Sequence, residues 1–312
     1  MYPIIESIKK DHELADIRAA VAEIMATDSP GPNFETTNPD KEFRMTVIDG
    51  GVERMIDVNL VTFCALTGKL RHFQAFPEDC IIDNCGPIMT FAATNGHLAI
   101  IKHLESHLDD YMKNPVVRTL DFYGFRNAAE GGHLETILHL ESHLSKDEKK
   151  EAVKCWNYYA IRWAAANGHN STVQHFMSHL TEAEKKEAVT ACEFEAIRLA
   201  AANGHTATIV LLESYLSVKE KKAAVKVNNF VALESAVVNE QKSTIEHLAS
   251  HLNDEEKLEA AKVLARFFAN SSVRDVGFFA RSAVTQKPLV LAFENEPSTP
   301  VNFDPNFEVG IT

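Results

Sequence analysis

The sequence lacks any run of about eighteen or more apolar residues, so no membrane-spanning helix is expected. It also lacks an excess of base. Its 31 Lys and Arg stand against 44 Asp and Glu, a net charge of −13, and phosphate-backbone binding needs clustered Lys and Arg. Nucleic acid is therefore not an expected partner. Cysteine is sparse: Cys64, Cys80, Cys85, Cys155 and Cys192 make an odd count without paired spacing. That pattern fits reduced thiols in a cytoplasmic setting rather than a disulfide framework. Met1-Tyr2-Pro3-Ile4-Ile5-Glu6 has no basic segment followed by an apolar one, so no Sec-type signal is expected. Phosphate loop, dinucleotide fingerprint and Gly-x-Ser-x-Gly are all missing. No cofactor is expected.

What the sequence does have is repetition. Ala92-Ala93-Thr94-Asn95-Gly96-His97 returns at Ala128 to Gly132-His133, at Ala164 to Gly168-His169 and at Ala200 to Gly204-His205. The histidines therefore recur every 36 residues. A fixed period of about 20–50 residues is the signature of stacked repeats. One further step reaches Asn239-Glu240-Gln241, where glycine and histidine are gone. Phe63-Cys64-Ala65-Leu66-Thr67-Gly68 reads as a degenerate leading copy at a shorter step.

Each unit decomposes into helices. The small alanine pair allows close helix approach with high helix propensity, and Asn-Gly supplies the left-handed residue that ends the helix. The columns Ile101, Ile137, Val173, Ile209, Ile245 and Leu104, Leu140, Phe176, Leu212, Leu248 form the apolar stripe of a second helix. Ser145/Glu148, Thr181/Glu184, Ser217/Glu220 and Asn253/Glu256 have capping-box spacing and begin a third. Phe122, Tyr158, Phe194 and Phe230 are an aromatic column leading into the next unit.

Together these predict an all-α solenoid of about six repeats. Residues 1–60 form an N-terminal helix and a β-hairpin around Asp49-Gly50-Gly51, and the array spans 61–265. Capping helices fill 266–286 and an irregular tail 287–312.

Ala160-Ile161-Arg162-Trp163-Ala164-Ala165-Ala166-Asn167-Gly168-His169 resembles the core of the ankyrin repeat, in which an Ala-Ala pair precedes Gly-His. Ile100-Ile101-Lys102-His103-Leu104-Glu105 resembles that family's Ile-Val-x-x-Leu-Leu stretch. The departures are the missing Thr-Pro-Leu-His start, the 36-residue unit and a Lys/Glu-rich helix where the family has a β-finger. This long variant looks like ankyrin-type effectors that intracellular bacterial pathogens deliver into host cells by type IV secretion. The resemblance implies a secreted protein that binds a host protein along a concave face; a monomer is favoured over the homo-oligomeric alternative. The resemblance also implies that His97, His133, His169 and His205 bond loop backbone at the repeat turns.

The surface that varies between copies carries the candidate binding residues. Arg126, Arg162 and Arg198 share a column near Glu130, Tyr123, Trp156, Tyr159 and Trp163, residue types that dominate interface energetics. The alternative for the arginines is bonding to backbone across the repeat interface. The pairs His103/His107, His139/His143, His175/His179 and His247/His251 have i, i+4 spacing. Glu105 and Glu141 point away from the pair on their own helix, so no third ligand and no metal site are expected. A thiol enzyme in residues 1–87, built on Cys64, Cys80 or Cys85 with His72, is the alternative to a non-catalytic scaffold.

Overall fold

The Ala-rich segments and the apolar-striped segments form antiparallel helix pairs, and six such pairs follow one another. The structure, a computed structural model, describes residues 15–30, 43–49 and 52–270. Among the expected elements, the Gly50-Gly51 turn, the tail and the caps beyond residue 270 lie outside the described residues. The chain divides into two compact units, Met1–Leu252 and Asn253–Thr312.

In the first unit, α1 (Ala15–Ala26) is followed by β1 (Phe43–Asp49) and β2 (Val52–Val58). The strands pair antiparallel in a register running from Phe43↔Val58 to Asp49↔Val52. The leading pair is α2 (Leu60–Thr67) and α3 (Leu70–Phe73), and α4 (Glu78–Asp83) leads on to α5 (Cys85–Thr94) and α6 (Leu98–Ser106). After α7 (Asp110–Val117) come α8 (Thr119–Glu130) and α9 (Leu134–Glu141), then α10 (Lys146–Ala166) and α11 (Asn170–Ser178). The last pairs are α12 (Glu182–Ala202) with α13 (Thr206–Glu213) and α14 (Val218–Val238) with α15 (Lys242–Ser250). The first helices stack in single file: α2 on α5, α5 on α8, α8 on α10, α10 on α12 and α12 on α14. This unit is an α-solenoid. The second unit is described through α16 (Asp254–Asn270), whose start is capped reciprocally by Asn253 and Glu256. No helix among the described residues is long and apolar enough to cross a membrane.

The apolar columns are the core. Ile101, Ile137, Val173, Ile209 and Leu104, Phe176, Leu212, Leu248 are essentially inaccessible, as are the alanines Ala92, Ala128, Ala164 and Ala200. The first helices α5, α8, α10 and α12 end as the Asn-Gly and Gly-Gly signals predict, each at a left-handed glycine. At Gly168 the backbone turns left-handed (φ 74), and His169 N–H donates to Ala164 O at 2.9 Å, closing the helix end. A Cβ on Gly168 would stand 2.6 Å from the His205 ring of the next unit. Glycine is thus required twice there, by the dihedral and by the approach of the neighbouring repeat.

The third helix of each unit is present but does not end where expected. It runs directly into the first helix of the next unit through three consecutive left-handed residues. These are Leu120-Asp121-Phe122, Trp156-Asn157-Tyr158, Cys192-Glu193-Phe194 and Asn228-Asn229-Phe230, with φ between 49 and 63. L-residues adopt this basin at a penalty of about 1–2 kcal/mol each, so something must hold the turn. Part of the answer is the aromatic column: Phe122, Tyr158 and Phe230 are buried as the third residue of their turns. The capping boxes at Ser145, Thr181 and Ser217 form with both halves in place. Their glutamates also accept from the preceding unit, Lys150 to Glu184 at 2.8 Å and Lys186 to Glu220 at 2.5 Å. These lysines therefore tie successive repeats together.

Candidate functional site

The other part of the answer is the arginine column. Arg126 Nε donates to Asp121 O at 2.9 Å and its Nη2 to Leu120 O at 3.3 Å. Arg162 does the same to Asn157 O and Trp156 O, both at 2.9 Å, and Arg198 to Glu193 O at 3.0 Å and Cys192 O at 3.1 Å. Each guanidinium fork thus caps the carbonyls of the first two left-handed residues in its own unit, a bidentate role that suits Arg and not Lys. Arg162 Nη1 additionally pairs with Glu195 of the following unit. Arg126 and Arg162 are buried. The arginines therefore do not stand as free forks along a groove, and their main bonds lie within one turn rather than across the repeat interface. In the fifth regular copy Glu234 occupies the column, and burial raises its carboxyl above the ordinary range.

What the arginines do present is an aromatic surround. Trp156, Tyr159 and Tyr123 pack around the Arg126 guanidinium at 4.6, 5.2 and 5.6 Å from ring centroid to Cζ, a cation–π geometry. Tyr159 stacks on Trp163 with centroids 5.7 Å apart and donates to Glu130 Oε2 at 3.0 Å. Burial and the Glu130 carboxylate together push the Tyr159 hydroxyl up. The structure thereby brings Tyr123, Arg126, Glu130, Trp156, Tyr159 and Trp163 into one cluster between the second and third regular units. Trp156 remains 62% exposed, and Leu120, one repeat earlier at the same turn position, 71%. Arg162 joins through Tyr159 at 5.9 Å, whereas Arg198 has no ring contact among the described residues.

The turn residues do a different job. His97 Nε2 lies 3.2 Å from Leu66 O of the preceding unit, and His133 and His169 bond the backbone of Thr94 and Glu130. Burial lowers the pKa of all three. Asn167, Asn203 and Asn239 donate to Glu130 O, Ala166 O and Ala202 O. Each turn is thus anchored to the end of the helix before it. His205 presses on Gly168 and Gln241 on Gly204, the same relation one and two steps along.

The histidine pairs depart from expectation. His139 Nε2 lies 2.7 Å from Glu105 Oε2 and His143 Nε2 3.0 Å from Glu105 Oε1. His175 and His179 meet Glu141 at 2.9 and 3.0 Å, and His247 and His251 meet Glu213 at 2.9 Å each. Each pair therefore has a third group after all. It comes from the preceding unit, at separations of 34 and 38 residues. The carboxylate that points away from its own helix's histidines points at the next helix's. Burial by itself would raise Glu141, but the bonds from His175 and His179 outweigh it and hold the carboxyl at about 2.

Two thiols of the enzyme alternative are shifted away from the thiolate form. Cys64 is fully buried inside α2, and burial pushes its thiol far above the ordinary range; Cys85 is also raised by burial. A nucleophilic cysteine needs the opposite shift. His72, its expected base, faces Thr27 Oγ1 at 3.2 Å.

No protein-family model matches the chain, and a search of curated proteins gives no match. Among solved structures it is similar to an ankyrin repeat family protein from Legionella pneumophila. The identity is 17%, with 86% of this chain and 95% of that chain covered at a TM-score of 0.46.

Proposed function

We propose that the protein is a non-catalytic interaction scaffold whose protein partner docks on the Trp156-centred cluster. One observation carries this reading: an exposed tryptophan packed over a buried arginine, with Tyr123 and Tyr159 beside it and exposed Leu120 at the equivalent turn. Large aromatics that are immobile before binding lose little entropy on binding, and they are the usual energetic centres of interfaces. Tyr123, Glu130, Trp163 and the arginine column support and surround that centre. The resemblance to helix-extended ankyrin effectors makes a host protein the partner class, met in the host cytoplasm after type IV secretion.

Incorporation of a photo-crosslinker at Trp156 and, separately, at exposed Leu138 of α9 tests the site in infected or transfected host cells. Cross-linking to one host protein from position 156, lost on Tyr123→Ala and weak from position 138, is the expected result. Equal labelling from both positions refutes the assignment of the surface. An activity that depends on Cys80 and survives loss of binding refutes the non-catalytic reading.

A further inference from the structure

Among the described residues, three Glu–His–His clusters are left unused by the scaffold reading. We propose that Glu105–His139–His143, Glu141–His175–His179 and Glu213–His247–His251 are each a binding site for a divalent transition-metal ion of the zinc class, stapling consecutive repeats.

The ligand set is the first argument. Two imidazole nitrogens and a carboxylate oxygen, with a fourth position left to water, is a zinc coordination set, and i, i+4 histidines on one helix face are a standard way to supply two of the three. The second is convergence. In each cluster one ligand atom per residue lies within 4.8 Å of the others. In the Glu141 cluster the three contacts are closer: His175 Nε2 to His179 Nε2 3.3 Å, and nitrogen to carboxylate oxygen 2.9 and 3.0 Å. Ligand atoms at about 2.0–2.1 Å from one ion, arranged tetrahedrally, stand roughly 3.3 Å apart. The two imidazole nitrogens already stand at that spacing, and Glu141, which offers Oε2 to His175 and Oε1 to His179, needs to turn one oxygen toward both to seat an ion.

The third argument is that hydrogen bonding alone leaves two of the three clusters, those of Glu105 and Glu213, incomplete. Glu105 Oε1 and His143 Nε2 are buried and 3.0 Å apart, yet neither has a hydrogen-bond partner; Glu213 Oε1, on a side chain only 3% exposed, has none either. Buried polar atoms without a hydrogen-bond partner call for a further group at the site, and an ion is one that suits both an imidazole nitrogen and a carboxylate oxygen. The last argument is in the chain itself. Where the ladder should place a fourth trio, Met177 replaces the glutamate and Leu211 and Tyr215 replace both histidines. The three positions change together. At the start of the array His103 and His107 have Lys69 at the glutamate position, and that pair instead reaches Glu78 through His107 Nδ1 at 3.4 Å. It is not a member of the set.

The histidines are about one-fifth exposed and the glutamates nearly closed off, so an ion can enter from solvent and keep a water. Because the ligands come from successive units, binding ties α6 to α9, α9 to α11 and α13 to α15, and metal affinity becomes array stability.

The test uses the untagged full chain, stripped with chelator, then titrated with zinc chloride and counted by elemental analysis after gel filtration. Three zinc ions per chain are expected, falling to two in Glu141→Gln and in Glu213→Gln. These amides keep the shape and the acceptor but ligate poorly. Cobalt(II) in place of zinc should give the visible bands of a four-coordinate ion, reduced by a third in each variant, and zinc should raise the melting temperature of the wild type. No zinc retained by the wild-type chain overturns the proposal. So does zinc retained equally after all three glutamates are changed to glutamine, which would place it on surface histidines. Neither outcome touches the Trp156 surface, whose cross-linking is read in a separate assay.

Discussion

Cys192→Gly should stabilise the protein although it puts glycine inside a continuous helical segment. Cys192 opens the left-handed turn of α12 at φ 49, ψ 45, with its side chain exposed and its thiol free. The left-handed basin costs an L-residue roughly 1–2 kcal/mol and glycine almost nothing. Against that, glycine loosens the unfolded chain by about 0.4–1 kcal/mol. Little buried surface is lost, and the carbonyl that accepts from Arg198 stays. The net is a gain of about 0.5–1 kcal/mol. The control is Ala223→Gly, an exposed position in the right-handed part of α14, which should lose about 0.5–1 kcal/mol by the ordinary helix-interior penalty. Guanidinium unfolding followed by circular dichroism measures both. If Cys192→Gly loses as much as Ala223→Gly, the residue is right-handed, and the account of the arginine forks as caps of a strained turn falls with it.

Three shorter expectations follow from the same geometry. Glu240 has φ 56 at the helix end where the earlier regular copies carry glycine, so Glu240→Gly should raise the denaturation midpoint by about 1 kcal/mol equivalent; a lower midpoint would contradict the turn. Burial lowers the pKa of His97, His133 and His169, so the stability they support is complete above the unfolded value of 6.5 and lost as pH falls below it through the folded values. Melting temperature should therefore drop between pH 7.5 and 5.5, and His169→Gln, the residue type at position 241, should shallow that drop; an unchanged slope would refute it. The Ser145 cap holds Glu148 at about 2 and the Lys186 and Ser217 bonds hold Glu220 at about 2, so a further loss of stability belongs below pH 4.5, and Ser217→Ala, which costs about 1 kcal/mol at neutral pH, should weaken it.

The period, the glycine turns, the buried columns and the capping boxes could be read from the residues because each depends on spacing within one helix or one turn. The left-handed turns could not. Left-handed backbone is ordinarily signalled by glycine or asparagine, and Leu120, Trp156, Cys192 and Glu193 signal nothing of the kind. Two columns were nonetheless visible, the aromatics at 122, 158, 194 and 230 and the arginines at 126, 162 and 198. Their offset of four residues is the trace of an anchor and a cap on one turn. An exposed-looking polar column and a backbone cap have the same sequence pattern, so the residues alone leave both roles open for the arginines; the structure adds the bonds from each fork to its own turn. The third group of the histidine clusters was missed for a related reason. Reading one helix at a time shows Glu141 facing away from His139 and His143, and only the step to the next unit shows it facing His175 and His179.

The same trio also shows why a buried carboxylate persists at a repeat interface. At the equivalent place, Met177, Leu211 and Tyr215 show that the stack tolerates an apolar solution. Changing only part of a trio is another matter. Glu141 is 3% exposed, and His175→Leu with His179→Tyr leaves its carboxylate without the groups that hold it ionised. Removing the partners of a buried charge costs about 3–5 kcal/mol, whereas exchanging the whole set for apolar residues of similar volume is close to neutral. In chelator-containing buffer the double variant should therefore lose about 3 kcal/mol, and adding Glu141→Met should restore most of it. Simple additivity, with the triple variant weaker than the double, would mean that carboxylate and imidazoles act independently. Recovery would mean that the interface chooses between two complete solutions. That explains why all three positions change together at Met177, Leu211 and Tyr215.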